Sequence, residues 1–284
     1  MKLTTLRLEL GLPKPLRFLH IADNHLTFAD DRDDERKLAL AKSRRRSFEG
    51  DTNNCEKYLD EMIAYAKDHC DLLLHTGDML DFVSHRNFEV AREKLKDVDY
   101  FMAVGNHEFS LYVGEAWEDE AYKRQSCDRV QATFRNDMTF ASREIGGVNL
   151  VAIDNSYYLF NGRQLELLKA EASKGLPMVL MMHTALYSEA LYEEMMVVRK
   201  KPCAYVCGCP VERMAGYEDY RYRQQLADAS TNAFIEYALG EPLVKAVLAG
   251  HLHFSHTGYL PGGRVFQSVA GAGYLNEASL LEFV

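Results

Sequence analysis

The chain has 284 residues, 47% of them hydrophobic, with 33 basic against 42 acidic residues for a net charge of −9. That composition supplies a core for one large α/β domain or two small ones and excludes a disordered class. The acidic balance disfavours a nucleic-acid backbone as partner unless a local basic groove overrides it.

Met1 to Leu10 alternates leucines with Thr4, Arg7 and Glu9 and lacks the unbroken apolar stretch of a secretory signal, so it reads as a first strand. No segment approaches the roughly 18 uninterrupted apolar residues of a membrane helix. A soluble, cytoplasmic protein with no membrane association is the expectation. Leu16 to Ala22 is a buried-strand run ending at Asp23-Asn24-His25. Residues 30 to 46 are a mixed charge run and read as surface, either a solvated loop or an exposed helix face.

Asn53 with Glu56 resembles a capping box, and Leu59, Met62, Ile63 and Ala66 recur at helical spacing, predicting a helix over 54 to 69. Asp71 to His75 is the next strand, running into Gly77-Asp78-Met79-Leu80-Asp81. A helix over 87 to 96 and a strand over Tyr100 to Val104 follow, the latter stopping at Gly105-Asn106-His107-Glu108. Strand, helix, strand, with polar residues at each strand's C-terminal end, is how an α/β sheet builds a site.

Thr139 to Ile145 and Val148 to Ile153 flank Gly146-Gly147 as a hairpin. A helix over 162 to 174 stops at Gly175 and Pro177, and Met178 to Met182 is a strand delivering His183. Leu243 to Ala249 delivers Gly250-His251-Leu252-His253, and short runs at 257 to 260, 264 to 268 and 280 to 284 read as closing strands. No Pro-rich or Ser-rich linker divides the chain, so a single domain over 1–284 is expected.

Six cysteines without an export signal read as free thiols. Cys203, Cys207 and Cys209 form the one cluster among them. A structural zinc there is the lesser reading, because no second Cys/His pair stands at finger spacing. His20, His75 and His256 read as core histidines, His69 and His85 as surface residues, and Asn24 as a lesser candidate for substrate contact.

Five of the ten histidines (His25, His107, His183, His251 and His253) sit in the clusters that follow strands. Asp, Asn and His supply the oxygen and imidazole ligands that a two-metal hydrolytic site takes. In order, the clusters resemble those of the calcineurin-like metallophosphoesterases: D-x-H, G-D-x-x-D, G-N-H-[DE], a lone H, and G-H-x-H. The resemblance runs over about residues 16 to 284.

That resemblance implies a four-layer αββα sandwich with two mixed sheets flanked by helices and metals at the strand ends. It assigns Asp23, His25, Asp78 and His253 to one ion and Asp78, Asn106, His183 and His251 to the other, with Asp78 shared. The mixed N/O set suits Mn, Fe, Zn or Co. A hydroxide bridging the two ions would be the nucleophile, His107 the proton donor to the leaving group and Asp81 the carboxylate orienting its ring. Glu108 would support the ligands from behind.

The family's core does not name a substrate. Phe82 after Asp81 and Val104 before Gly105 depart from the arginines that Ser/Thr protein phosphatases carry there. Asp81 and His25 depart from the purple acid phosphatases, which have a ligating Tyr in place of the first and lack the second. Tyr187, Tyr192, Tyr205, Arg213, Tyr217, Tyr220, Arg221, Tyr222 and Arg223 crowd the stretch after His183. They suggest a lid over about 184–228 whose aromatics stack on a base or sugar while arginine holds a phosphate, or else a surface excursion packed on the sandwich. A phosphodiesterase acting on a small nucleotide-like or other organic phosphate is the leading expectation. A DNA-repair-type nuclease or a phosphomonoesterase is the alternative, and a non-catalytic scaffold is disfavoured by the retained His107.

Overall fold

The structure, a computed structural model, describes residues 1–49, 54–114 and 119–284. Strands β1 (Lys2–Leu8) and β2 (Leu16–Ile21) are followed by helices α1 (Glu35–Glu49) and α2 (Asn54–His69), then β3 (Leu72–Thr76), α3 (His85–Leu95) and β4 (Tyr100–Ala103). Short helices α4 (Glu120–Arg124) and α5 (Cys127–Gln131) lead to β5 (Phe140–Ile145), β6 (Val148–Ile153), α6 (Gly162–Ala172) and β7 (Met178–Met181). After β7 come α7 (Glu189–Glu193), a π-helical stretch (Glu194–Val198), α8 (Asp219–Gln225) and α9 (Ala229–Gly240). The chain closes with β8 (Val244–Ala249), β9 (His256–Tyr259), β10 (Phe266–Val269) and β11 (Glu277–Phe283).

Two mixed sheets result, ordered β1-β11-β2-β3-β4 and β5-β6-β7-β8-β10-β9. Their inner faces meet through Phe18, Leu72, Leu74, Phe101 and Phe283 on one side and Leu150, Val179, Met181, Ala246 and Leu248 on the other. Side chains of alternate parity face outward. Leu19, Ile21, Leu73 and Met102 pack with Leu59 and Met62 of α2 and Phe88 of α3, while Val151, Leu180 and Val247 pack with Leu168 of α6 and Phe234 of α9. Burial on both faces is why these strands read as continuous apolar runs rather than alternating ones. The architecture is the four-layer αββα sandwich that the resemblance implies.

The three closing strands do not stay together. β9 and β10 extend the second sheet, whereas β11 crosses to the first and inserts between β1 and β2, parallel to the former and antiparallel to the latter. Gly146 and Gly147 turn the β5–β6 hairpin at φ of 53° and 95°, the left-handed pair a two-residue turn of this hand requires. The N-cap expected at Asn53 lies outside the described residues. The charge run of 30 to 46 is mostly the helix α1, and it is not all surface, because Lys37 and Ala41 are buried. No helix among the described residues is long and apolar enough to cross a membrane.

Candidate metal centre

β2, β3 and β4 of the first sheet run parallel, as do β6, β7 and β8 of the second, so their C-terminal ends collect at one edge of the sandwich. The loops leaving β2, β3, β4, β7 and β8 carry Asp23, His25, Asp78, Asn106, His183, His251 and His253. Five of those residues hold positive φ: Asp23 at 56°, His25 at 50°, Asp78 at 58°, His251 at 71° and His253 at 60°. A left-handed residue with a Cβ is unfavourable by about 1–2 kcal/mol, so the surrounding bonds must hold these turns. Asp23 N–H donates to the Gly77 carbonyl and His25 N–H to the Asp78 carbonyl, both at 3.0 Å, lacing the first two loops together. Gly105 brings the third loop close enough that a Cβ there would lie 2.1 Å from Asp78 Oδ1.

The expected ligands form two donor groups, and a third, of His25, Asp81 and His107, lies beside them. Asp23, His25, Asp78 and His253 offer ligand atoms within 4.8 Å of one another, and so do Asp78, His183 and His251, making Asp78 common to both. Asn106 Oδ1 joins the second group, 3.2 Å from His183 Nε2. His183 Nε2 is 3.2 Å from Asp78 Oδ2 and 3.1 Å from His251 Nδ1. In the first group, His25 Nε2 is 3.0 Å from His253 Nε2, 3.8 Å from Asp78 Oδ2 and 4.0 Å from Asp23 Oδ1.

These separations suit a cation. Ligands about 2.1 Å from an ion, at right or tetrahedral angles, stand about 3.0–3.4 Å apart. The proton placement agrees. His25 donates its Nδ1–H to Asp81 Oδ1 (2.9 Å) and His183 its Nδ1–H to the Thr76 carbonyl (2.7 Å), which turns both Nε2 atoms toward other acceptors. Acceptor facing acceptor in a buried cage calls for positive charge between them. Burial pushes the His25, His251 and His253 rings down in pKa and holds them in the neutral, ligating form. Burial also lowers His183, but the Asp78 carboxylate outweighs it and raises that ring to about 9. Burial pushes Asp78 up, but the charges of His183 and His107 outweigh it and hold its carboxyl well below the usual range.

Beside the first group lies a second layer of bonds. His107 donates Nδ1–H to the Asp81 carbonyl at 2.7 Å, with Asp81 Oδ1 at 3.2 Å, so its Nε2 is left for the cleft. Burial lowers this ring, and the Asp78 and Asp81 carboxylates override it, raising it to about 10. Asp81 therefore serves two rings. Its Oδ1 is closer to His25 than to His107, a sharing the sequence reading did not anticipate. Arg44 of α1 grips the same carboxylate, Nε donating to Oδ2 at 2.7 Å and Nη2 to Oδ1 at 2.9 Å. One turn on, the Phe48 ring stacks on His25 at 4.4 Å. Glu108, fully buried, accepts the backbone N–H groups of Asp78, Leu80 and Gly105 and ties the second loop to the third.

A cleft of about 790 Å³ opens over the cage, lined by Asp78, Asn106, His107, His251 and His253 and, from the stretch after His183, by Arg199, Lys201, Tyr205, Tyr220 and Arg221. Of the tyrosines in that stretch, Tyr187, Tyr192, Tyr217 and Tyr222 pack in or against a core containing Leu191, Met195 and Met214, Tyr205 packs on that core and also reaches the cleft, and Tyr220 lines the cleft. Asn24 does not line the cleft; it is buried and accepts from His75 Nε2. His20 is likewise a core histidine, paired with Thr76, while His256 is half-buried with its Nδ1 unbonded. The three clustered thiols are buried and free, each with its own partner: Cys203 with Gln225, Cys207 with the Tyr158 carbonyl, and Cys209 with Tyr217.

Sequence reasoning missed Arg44, Phe48 and Tyr158, whose hydroxyl lies 2.8 Å from His251 Nε2. It also missed Asn155, whose Oδ1 accepts the backbone N–H groups of His183 and Thr184. Tyr158 and Asn155 follow β6 in the run Asp154-Asn155-Ser156-Tyr157-Tyr158, a polar cluster just past a buried strand like the others.

A family model described as calcineurin-like phosphoesterase matches residues 16–255. Among solved structures, a dimetal phosphatase from Danio rerio is similar with a TM-score of 0.50 and 12% identity, over 91% of this chain and 88% of that one. A purple acid phosphatase from yellow lupin (Lupinus luteus) seeds is similar with a TM-score of 0.53 and 15% identity, over 92% of this chain but 44% of that one. The chain thus spans less than half of the lupin enzyme, and both likenesses speak to the fold alone. No curated protein matches the chain in sequence.

Proposed function

The chain belongs to the calcineurin-like phosphoesterases and is a metal-dependent phosphoester hydrolase, and from that premise we propose that it is a phosphodiesterase for a small nucleotide-like or other organic phosphate. One observation carries the proposal: the cleft above the cage is bounded by the Tyr- and Arg-bearing stretch 195–224 and is sized for a small molecule. In this reading the chain is one domain and residues 184–228 form its lid.

Asp23, His25, Asp78 and His253 would hold one ion, and Asp78, Asn106, His183 and His251 the other. When bound, the ions supply Lewis acidity to the phosphoryl oxygens and acidify water. Mn, Fe, Zn and Co all fit the donor set, and manganese is the first to try. The chain's own residues do the rest. His107, lowered by burial but raised on balance to about 10 by the Asp78 and Asp81 carboxylates, presents Nε2–H to the leaving oxygen while Asp81 fixes the other nitrogen. Arg44 and Phe48 keep Asp81 and His25 from turning. Tyr205 and Tyr220 offer ring faces to a base.

The test is turnover with manganese added, on an aryl phosphomonoester, an aryl phosphodiester, cyclic nucleotides and single-stranded DNA. Preference for the diester or a cyclic nucleotide supports the proposal. Preference for DNA makes the chain a nuclease, preference for the monoester makes it a phosphatase, and no turnover on any of them favours the scaffold.

A further inference from the structure

The cleft's charge is out of keeping with the rest of the chain. The sequence carries a net charge of −9, yet Asp78 is the only carboxylate among the described lining residues, and the wall after His183 contributes Arg199, Lys201 and Arg221. Arg199 is already partnered, donating to Glu194 at 2.9 Å and lying over the Phe254 ring at 3.6 Å. Arg221 is not paired with any carboxylate of the described residues. Its guanidinium carbon lies 5.0 Å from the Tyr205 ring centre and 4.7 Å from that of Tyr220, Nη1 donates to Gln224 Oε1 at 2.8 Å, and Nε–H has no acceptor among the described residues.

A half-buried guanidinium held by two rings and an amide, without a counter-ion, is an incomplete arrangement. The missing component is an anion. The scissile phosphate would not supply it, because bound ions and His107 would meet its charge at the cage. Arg221 nevertheless stands near that cage: the centre of the Tyr205 ring it lies over is 6.1 Å from that of His251.

We infer that the cleft wall around Arg221 is a subsite for a second phosphate on the substrate, with Lys201 adding charge at its rim. The inference rests on the reading of the cleft as the substrate site. The substrate class is then a phosphoester that carries another phosphate a few bonds away, on the same phosphate chain or on the sugar. The guanidinium meets it through charge-assisted hydrogen bonds that a single-phosphate ligand cannot make.

Calorimetric binding to the manganese-loaded His107→Asn chain, chosen for its slow turnover, tests this with adenosine 5′-monophosphate, adenosine 5′-diphosphate and adenosine 3′,5′-bisphosphate. At least one of the two-phosphate ligands should bind about tenfold or more tightly than the monophosphate. Arg221→Gln should bring all three within about threefold of one another, and Arg221→Lys should keep part of the gap. Equal affinities for the three ligands overturn the inference. So does a gap that survives Arg221→Gln. A gap that is present and lost in Arg221→Gln, with no hydrolysis of these nucleotides by the chain that retains His107, supports the subsite and counts against the hydrolytic reading of the cleft.

Discussion

Replacing Arg44 by glutamine removes both hydrogen bonds that α1 makes to Asp81, at 2.7 and 2.9 Å, and leaves a fully buried carboxylate with only its two imidazole partners. Breaking one side of a buried ion pair typically destabilises by about 3–5 kcal/mol. The arginine side chain is 24% exposed and Asp81 keeps His25 and His107, so about 2–4 kcal/mol is expected here. Urea unfolding of metal-free protein at neutral pH measures this. Burial pushes Asp81 up, but the bonds from Arg44, His107 and His25 outweigh it and hold its carboxyl well below its ordinary 3.8. A depressed folded-state pKa stabilises above the ordinary value and loses that contribution as pH falls through the folded one. The Arg44→Gln deficit should therefore be full at neutral pH and shrink in strong acid. Because Asp81 orients His25, manganese affinity should also fall by about 10- to 100-fold. In the double variant with Asp81→Asn the two effects should not add, since a neutral residue 81 has no charge for Arg44 to meet. A single-variant loss under about 0.5 kcal/mol, or full additivity, would refute the bracing role.

Two further substitutions probe the cage. His107→Asn should retain bound metal while slowing hydrolysis by about 10²-fold or more, measured as kcat on the best substrate of the panel, and undiminished kcat would remove His107 from the proton-donor role. Gly105→Ala should destabilise by more than about 2 kcal/mol in urea unfolding and weaken metal retention, because its Cβ would sit 2.1 Å from Asp78 Oδ1 and 2.5 Å from Asp78 N. Wild-type stability in that variant would show that the loops have room the structure does not give them.

The sequence made the sandwich legible wherever a strand is buried on both faces, since Leu72–Leu74 and Ala246–Ala249 are unbroken apolar runs. The candidate ligands were legible for a related reason: each follows such a run, so the polarity change marks the strand's end. Arg44 and Phe48 were hidden because they lie in a highly charged helix whose apolar face is only a few residues wide. Arg44's partner Asp81 is 37 residues away, and no local pattern links them. Asp81's division between His25 and His107 was invisible for the same reason, being set by how two loops stack. Tyr158 was within reach, since β6 ends in a polar cluster like the others. The place of β11 inside the first sheet was not, because a strand's neighbours depend on pairing rather than on its own residues.

Seven side chains from five loops are expected to hold two ions through one shared carboxylate. Metal content by plasma mass spectrometry, after manganese reconstitution and exchange into metal-free buffer, tests it most directly. Wild-type chain should retain about two ions, and Asp78→Asn, which weakens both donor groups at once, should fall below about one. A wild-type chain that retains no metal, or an Asp78→Asn chain that retains as much as wild type, would rule out a shared-carboxylate metal pair at these residues.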